Sequence, residues 1–186
     1  IQIDLNESND VLKGKRNALI HGVSIASKKM LLLSDADCKP NSEFWIRDMM
    51  NAVTPKTDII LGHAPFYRSK GLLQYLFRFD NSFTAIKYFS AYAMGYPYMG
   101  VGRNMAIRKE VFINNMDLFK MHKSVSGDDD LFVNAIAYKD NTSICLSSES
   151  YMYSKASVGL TDYIKRKRRH LSAGNHYKTK HLLGLG

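Results

Sequence analysis

The sequence has little cysteine and lacks any long apolar run. Its 186 residues include only two cysteines, Cys38 and Cys145, and these fit neither a zinc-binding spacing nor a disulfide framework, so we expect a reducing compartment. No apolar stretch approaches the roughly 18 residues that a membrane-spanning helix requires. With 45% hydrophobic and 23% charged residues, the composition is that of a globular domain, which excludes collagen-like, low-complexity and disulfide-scaffold proteins.

Acidic residues are scarce near the C-terminus. The formal net charge is +9, from 26 Lys and Arg against 17 Asp and Glu. Eight of those cations, opposed only by Asp162, lie between Lys155 and His181. Such a segment is typical of a surface that binds phosphate, nucleic acid or an anionic membrane. We expect a basic amphipathic helix within residues 159–181, inside one domain that spans residues 1–186.

Short apolar segments alternate along the chain with longer segments of helical periodicity. This alternation predicts an α/β fold in which helices flank a mixed, mainly parallel sheet. A helix rich in Tyr and Phe is predicted over residues 71–93. The aromatic and Met side chains of residues 71–99 are expected to belong mainly to the core, and the lining of an acceptor groove is the alternative. The strands are predicted at residues 1–5, 30–34, 58–64, 104–108 and 143–146, and the other helices at residues 11–27, 42–53, 128–137 and 161–177.

Two acids, Asp35 and Asp37, directly follow the apolar strand predicted at residues 30–34. Ligands of open α/β sheets bind at the carboxyl ends of such strands. Alternation along an extended chain would place side chains i and i+2 on one face, so both carboxylates could reach one cation. Carboxylates together with substrate phosphates are the usual ligands of Mg²⁺, and Mn²⁺ accepts the same set. A helix-capping turn that binds no metal is the alternative.

A second acidic group, Asp128, Asp129 and Asp130, follows Gly127 and opens a predicted helix. Acids in the first turn of a helix often serve only to complement the helix dipole. Three in succession also repel one another, which raises the pKa of a carboxyl group and suits it to act as a general base. The sequence favours neither interpretation by itself.

Three groups of the predicted basic helix, Arg166, Arg169 and His170, share one helix face. Because guanidinium groups bind phosphate oxygens in pairs, this face is predicted to clamp a diphosphate. A nucleic-acid-binding patch is the alternative. The remaining cations of the run are expected to face elsewhere, toward anionic lipid: Lys165, Lys167 and Arg168.

Taken in order, these motifs resemble those of the family 2 glycosyltransferases, of the membrane-associated bacterial type. The resemblance rests on residues 13–19, 31–40, 102–106, 127–131 and 166–170 and covers nearly the whole chain. It implies a GT-A fold and transfer of a sugar from a nucleoside-diphosphate sugar to an acceptor hydroxyl, on a glycan or a lipid, with inversion.

The resemblance also implies a role for each motif. Asp35 and Asp37 match the D-x-D pair that holds Mg²⁺ or Mn²⁺ on the donor. Asp129 matches the catalytic base, with Asp128 in that role if the register is one residue earlier. Lys15 matches a basic position near the nucleotide, and Gly102, Arg103 and Asn104 are assigned to the acceptor. The Q-x-x-R-W positions, also donor-binding, are occupied by Arg166, Arg169 and His170.

Members of this family begin with a nucleoside-binding strand and loop that the printed sequence does not contain. We therefore expect the chain to be part of a longer enzyme at the cytoplasmic face of the cell membrane, and to be inactive alone. The resemblance implies no nucleic-acid partner.

Two other functions use the same features. A basic nucleic-acid or membrane-binding module would explain the C-terminal charge but not the acidic motifs. A haloacid-dehalogenase-type phosphatase would also place two acids after an apolar strand. That class requires Thr or Val where Lys39 stands and a later acid where Phe132 stands.

Overall fold

The computed structural model of the chain describes the backbone of residues 15–121 and 128–174 and the side chains of residues 17–118 and 129–168. Helices and strands alternate through both parts. The strands are β1 (Met30–Leu33), β2 (Lys39–Pro40), β3 (Ile59–Gly62), β4 (Met105–Arg108), β5 (Thr142–Cys145) and β6 (Met152–Tyr153). The helices are α1 (Lys15–Ile25), α2 (Trp45–Asn51), α3 (Leu72–Ala93), α4 (Lys109–Asn114), α5 (Met116–Met121), α6 (Asp128–Ile136) and α7 (Leu160–Gly174).

Four strands form the main sheet, in the order β1-β4-β3-β5. Strand β4 is antiparallel to both of its neighbours, with Leu33 opposite Met105 and Ile59 opposite Ile107. Strand β5 is parallel to β3. Therefore β1, β3 and β5 run in one direction and β4 opposes them, which confirms the predicted α/β fold with a mixed sheet.

The two central strands are buried on both faces because helices cover both sides of the sheet. Ile59 and Ile107 point to the face that packs against α3 and α6, in one apolar cluster. Ile60 and Ala106 point to the other face and pack against Met49 of α2. Successive side chains of a strand point to opposite faces, so continuous apolar runs are required for a sheet covered on both sides.

A second, two-stranded sheet was not predicted from the sequence. Strands β2 and β6 are antiparallel, with Lys39 opposite Tyr153, and a parallel bridge joins Phe66 to Ser154. Two-residue strands carry no periodicity that a sequence pattern could reveal. This sheet connects the segment after Asp37 to the segment before α7.

The long helix α3 meets the core with only one face. Phe77, Ala85, Tyr88 and Ala91 are buried on that face. The predicted helix is confirmed, but the expectation that its aromatic content is mainly core is wrong for the opposite face, which is exposed. Within residues 15–121 and 128–174, no helix is both long and apolar enough to cross a bilayer.

Candidate active site

One edge of the main sheet brings the predicted motifs together. Strands β1, β3 and β5 end at this edge, and the antiparallel strand β4 begins there. The segment after β1, the segment after β3 and the loop before β4 are therefore neighbours. This arrangement places Asp35 and Asp37 near Gly102, Arg103 and Asn104, although 65 residues or more separate the two motifs in sequence.

The acids after β1 lie in a tight turn rather than on an extended strand. The backbone N–H of Cys38 donates to the carbonyl oxygen of Asp35 over 3.0 Å, so strand alternation does not apply to Asp35 and Asp37. Asp35 is half-buried and Asp37 is exposed. Both carboxylates act on the Cys38 thiol: burial raises its pKa most, Arg103 lowers it, and the two Asp charges raise it further.

The donor set of this turn fits a hard divalent cation. Two carboxylates lie within electrostatic range of one thiol, and Asp37 opens onto a cleft that a phosphate-bearing ligand could enter. Among the residues that the structure describes, no three His, Cys, Asp or Glu side chains are grouped as a metal site. Two carboxylates alone would leave most of the ligand positions of such a cation to substrate oxygens and water.

Asp37 and the start of α7 face each other across a cleft of about 710 Å³. The prediction that Lys165 and Arg168 point away from Arg166 is wrong, because all three side chains line this cleft. Lys167 does point away from the cleft, as predicted. Its ammonium group pairs with Asp80 of α3 instead of facing lipid. The cleft is lined by Asp37, Lys155, Ala156, Ser157, Val158, Asp162, Lys165, Arg166 and Arg168.

Several predicted site residues lie outside the described part of the chain. The side chains of Lys15, Asp128, Arg169 and His170 are not among those that the structure describes, although the backbone of each belongs to a helix. Their predicted roles stay predictions.

Arg103 lies at the centre of the edge. Its guanidinium group donates to Ser154 Oγ over 2.7 Å and to Asn81 Oδ1 over 2.8 Å. It also lies over the Phe66 ring at 4.8 Å, and Arg166 lies over the same ring at 5.7 Å. Burial lowers the pKa of Arg103, and Arg166 lowers it further whereas the Asp35 charge raises it. Arg103 thus joins the acidic turn to α3, to the segment after β6 and to α7.

The other two residues of the loop before β4 play different parts. Asn104 is fully buried. Its side-chain N–H groups donate to the carbonyl oxygens of His63 and Ser150 over 2.8 Å each, and its Oδ1 accepts from Trp45. Because its amide is engaged within the protein, Asn104 shapes this loop. Gly102 has no side chain, so the carboxylate of Asp129 lies directly against its backbone.

Asp129 and Asp130 of α6 point to different environments. A Cβ atom built on Gly102 would come within 1.9 Å of Asp129 Oδ2. Asp129 and Gly102 also line a groove of about 500 Å³ between α1 and β1. Asp130 is buried, and its charge adds to the burial that raises the pKa of Tyr98 to about 12. Only Asp129 of this pair therefore reaches an open cavity in the described part of the chain.

The sequence was compared with models of known families. Residues 8–115, more than half of the chain, match the model of Glycosyl transferase family 2. The chain belongs to that family. A search of curated proteins gave no match. The matched range includes the acidic turn and the loop before β4, whereas Asp129 and α7 lie beyond it.

His63 is a residue of this glycosyltransferase that the sequence patterns did not reveal. It follows β3 at the same edge, and its ring lies edge-on to Tyr151 at 4.8 Å. Burial lowers the pKa of His63 to about 4, and the nearby Arg103 charge contributes. The imidazole is therefore neutral at physiological pH. His63 directly follows an apolar strand, as Asp35 does. The same sequence signal could therefore have identified His63 as a residue at this edge of the sheet.

Phe66 was also missed. It is the ring over which both guanidinium groups lie, yet a single Phe in a loop carries no pattern of its own. The β-bridge between Phe66 and Ser154 places the Phe66 ring near the acidic turn and α7 of the glycosyltransferase. Such a bridge cannot be read from the sequence.

Proposed function

We propose that this family 2 glycosyltransferase moves a sugar from a nucleoside-diphosphate sugar to an acceptor hydroxyl, on a glycan or a lipid-linked acceptor, with inversion and with Mg²⁺ or Mn²⁺. The observation that supports this most is the cleft in which Asp37 faces Arg166, Lys165 and Arg168. Carboxylates hold a cation and guanidinium groups hold phosphate oxygens, so this combination suits a metal-bound diphosphate.

The donor's diphosphate is the group that leaves when the sugar is transferred. Arg166 lines the cleft and is held over Phe66 beside Arg103, so its guanidinium is positioned before the donor arrives. A cation held by Asp35 and Asp37 would neutralise charge on the departing diphosphate. The protein's own cations stabilise the same charge as it develops, which lowers the barrier to bond breaking.

The acceptor hydroxyl must lose its proton as its oxygen bonds to the anomeric carbon. Asp129 is our proposed base, because it opens onto a cavity while Asp130 is buried. Attack from the side opposite the departing diphosphate inverts the anomeric carbon. The proton passes to an Asp129 carboxylate oxygen and the electron pair of the broken bond leaves with the diphosphate.

We further propose that this enzyme acts at the cytoplasmic face of the cell membrane, with a membrane surface as a partner. The formal net charge of +9 supports this location, since anionic lipids attract basic proteins.

Replacing Asp37 by Asn in the full-length enzyme tests the cation assignment. We expect donor binding measured by calorimetry to lose its dependence on Mg²⁺ or Mn²⁺, and transfer to be abolished, with an unchanged circular dichroism spectrum. Asp162→Asn is a matched control, because Asp162 lines the same cleft from α7. Metal-dependent donor binding that persists in Asp37→Asn would contradict the proposal.

A further inference from the structure

The outer face of α3 carries a continuous exposed apolar stripe. Its members follow one another at spacings of four and three residues, which keeps them on one side of a helix. Leu72 is 76% exposed, and Phe79 and Ile86 are each 59% exposed. The stripe is about 21 Å long at 1.5 Å per residue and consists of Leu72, Leu76, Phe79, Phe83 and Ile86.

This stripe lies opposite the face of α3 that packs against the core. Phe77 and Tyr88 of the inner face are buried, whereas the rings of Phe79 and Phe83 stack on each other in solvent at 6.1 Å. A helix that is apolar on two opposite sides is normally covered on both. An exposed apolar patch of this length marks an interaction surface.

A cation borders the stripe. At 100° per residue, Lys87 lies about 60° from the centre of the stripe, and its ammonium lies 5.4 Å from the Phe83 ring. Arg78 lies about 120° from that centre on the other side; its Nε is buried and its guanidinium lies 5.9 Å from the ring of the exposed Tyr75. The one acidic residue of α3, Asp80, pairs with Lys167. The surface is therefore apolar at the centre of the stripe and positive at the border that carries Lys87.

We propose that the outer face of α3 lies on an anionic lipid bilayer, with its axis in the plane of the membrane. Leu72, Phe79 and Ile86 would enter the boundary between headgroups and acyl chains, while Lys87 reaches outward to lipid phosphate. Tyr96, 64% exposed just beyond the helix, is of the type enriched at that depth.

This proposal assigns the membrane contact to α3 instead of α7. Lys165 and Arg168 line the cleft opposite Asp37, so they face the proposed donor site and not a lipid surface. The inference rests on the proposed membrane location and names the surface that makes the contact, and it requires none of the proposed chemistry.

Charge favours a bilayer over a second copy of the chain. A dimer through the stripe would place Lys87 of both copies at the margin of one interface. Asp80 is engaged with Lys167, so α3 offers no further acid to neutralise them. Like charges at an interface oppose association, whereas anionic lipid complements the border that carries Lys87.

Co-sedimentation of the full chain with vesicles tests the proposal. We expect binding to phosphatidylcholine vesicles that contain about 30% phosphatidylglycerol, weaker binding to pure phosphatidylcholine, and loss of the difference at high salt. The double variant Phe79→Ser/Phe83→Ser should lower the partition coefficient about tenfold or more. Ile46→Ser is the matched control, because Ile46 of α2 is also 59% exposed, and should bind like the wild type.

A charge variant tests the border independently of the apolar stripe. Lys87→Gln should weaken binding to anionic vesicles by about fivefold and leave binding to pure phosphatidylcholine unchanged. Lys56→Gln, an exposed lysine outside α3, should change neither. Asp37→Asn should bind vesicles normally, which separates this proposal from the catalytic one.

Two outcomes would overturn the proposal. The first is wild-type vesicle binding by a folded Phe79→Ser/Phe83→Ser variant together with wild-type binding by Lys87→Gln. The second is a dimer in solution that the double variant dissociates, with no vesicle binding by the wild type, since that result would assign the stripe to a second copy of the chain.

Discussion

The two ends of the main sheet carry similar charged and polar residues but use them differently. At the end where β3 begins, the Arg108 guanidinium pairs with Asp58 at 2.9 Å, and the Asn141 amide donates to the same carboxylate at 3.2 Å. At the opposite end, Asp37, Arg166 and Asp129 line cavities. The charges of the first end hold β3, β4 and β5 together, and those of the second border cavities.

This difference follows from the direction of the strands. The first end joins β4 directly to α4, because Lys109 continues from Arg108, so short connections close it. The second end joins its strands through longer segments, residues 34–44 after β1 and residues 63–71 after β3. Longer segments leave room for cavities, and charged side chains there can line a cavity as well as contact the protein.

The largest expected effect is on turnover, and it distinguishes the two ends of the sheet most clearly. In the full-length enzyme, Asp129→Asn should reduce turnover by roughly 10²–10⁴, with donor affinity within a few-fold and unchanged stability. Asp58→Asn should instead lower the free energy of unfolding by about 1–2 kcal/mol and leave turnover unchanged. Steady-state kinetics and urea denaturation measure the two effects.

The neighbouring acid provides the counter-test. If Asp128→Asn abolishes turnover while Asp129→Asn retains it, the base lies one residue earlier. Full activity of both variants would remove this acidic group from the catalytic machinery.

A single methyl group at the open end should have the next largest effect. Gly102→Ala places a Cβ 1.9 Å from Asp129 Oδ2, so the carboxylate or the loop must move, and turnover should fall by about 10². Gly22→Ala is the matched control: nothing lies within 4 Å of its Cβ, and removing a helical glycine should stabilise α1 by up to about 1 kcal/mol. Equal turnover in both variants would mean that Asp129 does not require its present position.

Two adjacent cations of α7, Arg166 and Lys167, allow the same comparison of a cleft residue with a paired residue within one helix. Arg166→Ala should weaken donor binding by roughly 10–100-fold, since a charge-assisted phosphate contact contributes about 1.5–3 kcal/mol. Lys167→Ala removes a partly exposed pair with Asp80, which contributes at most about 1 kcal/mol, and should change donor affinity much less. Calorimetric titration with the donor measures both, and equal losses would show that α7 acts only as a diffuse positive surface.

The smallest effect concerns pH. The pKa of His63 is about 4 in the folded protein and about 6.5 in an unfolded chain, so the unfolded state binds a proton first as the pH falls. The free energy of unfolding should therefore decrease between about pH 6.5 and pH 4, by about 1–3 kcal/mol from this group. His63→Phe retains the aromatic packing against Tyr151 and should flatten that part of the profile, measured by urea denaturation. An unchanged profile would show that His63 does not titrate in this way.

Much of the fold could be predicted because burial leaves a direct trace in the sequence. The apolar runs that predicted strands at residues 30–34 and 58–64 correspond to β1 and β3, and the predicted helix at 71–93 corresponds to α3. The reversed direction of β4 left no such trace, since a strand buried on both faces reads the same in either direction.

The candidate site was predictable in its residue types but not in its contacts. Asp35 and Asp37 were expected to share a strand face, whereas a turn presents them. The helix face of Arg166 was derived from spacing, which could not show that Lys165 and Arg168 also line the cleft. The contact between Gly102 and Asp129 joins residues 27 positions apart, and such pairs follow from the tertiary fold alone.

The small β2–β6 sheet has a consequence for the order in which the protein folds. The hydrogen bond from the Asn41 side chain to the Ser148 carbonyl oxygen spans 107 positions of sequence, and the pairing of Lys39 with Tyr153 spans more. Closing so long a loop costs conformational entropy before any contact compensates it. We therefore expect the acidic turn and α7 to meet late, after the β1–β4 and β3–β4 pairs have formed, and the edge of the sheet that carries the candidate site to become native last.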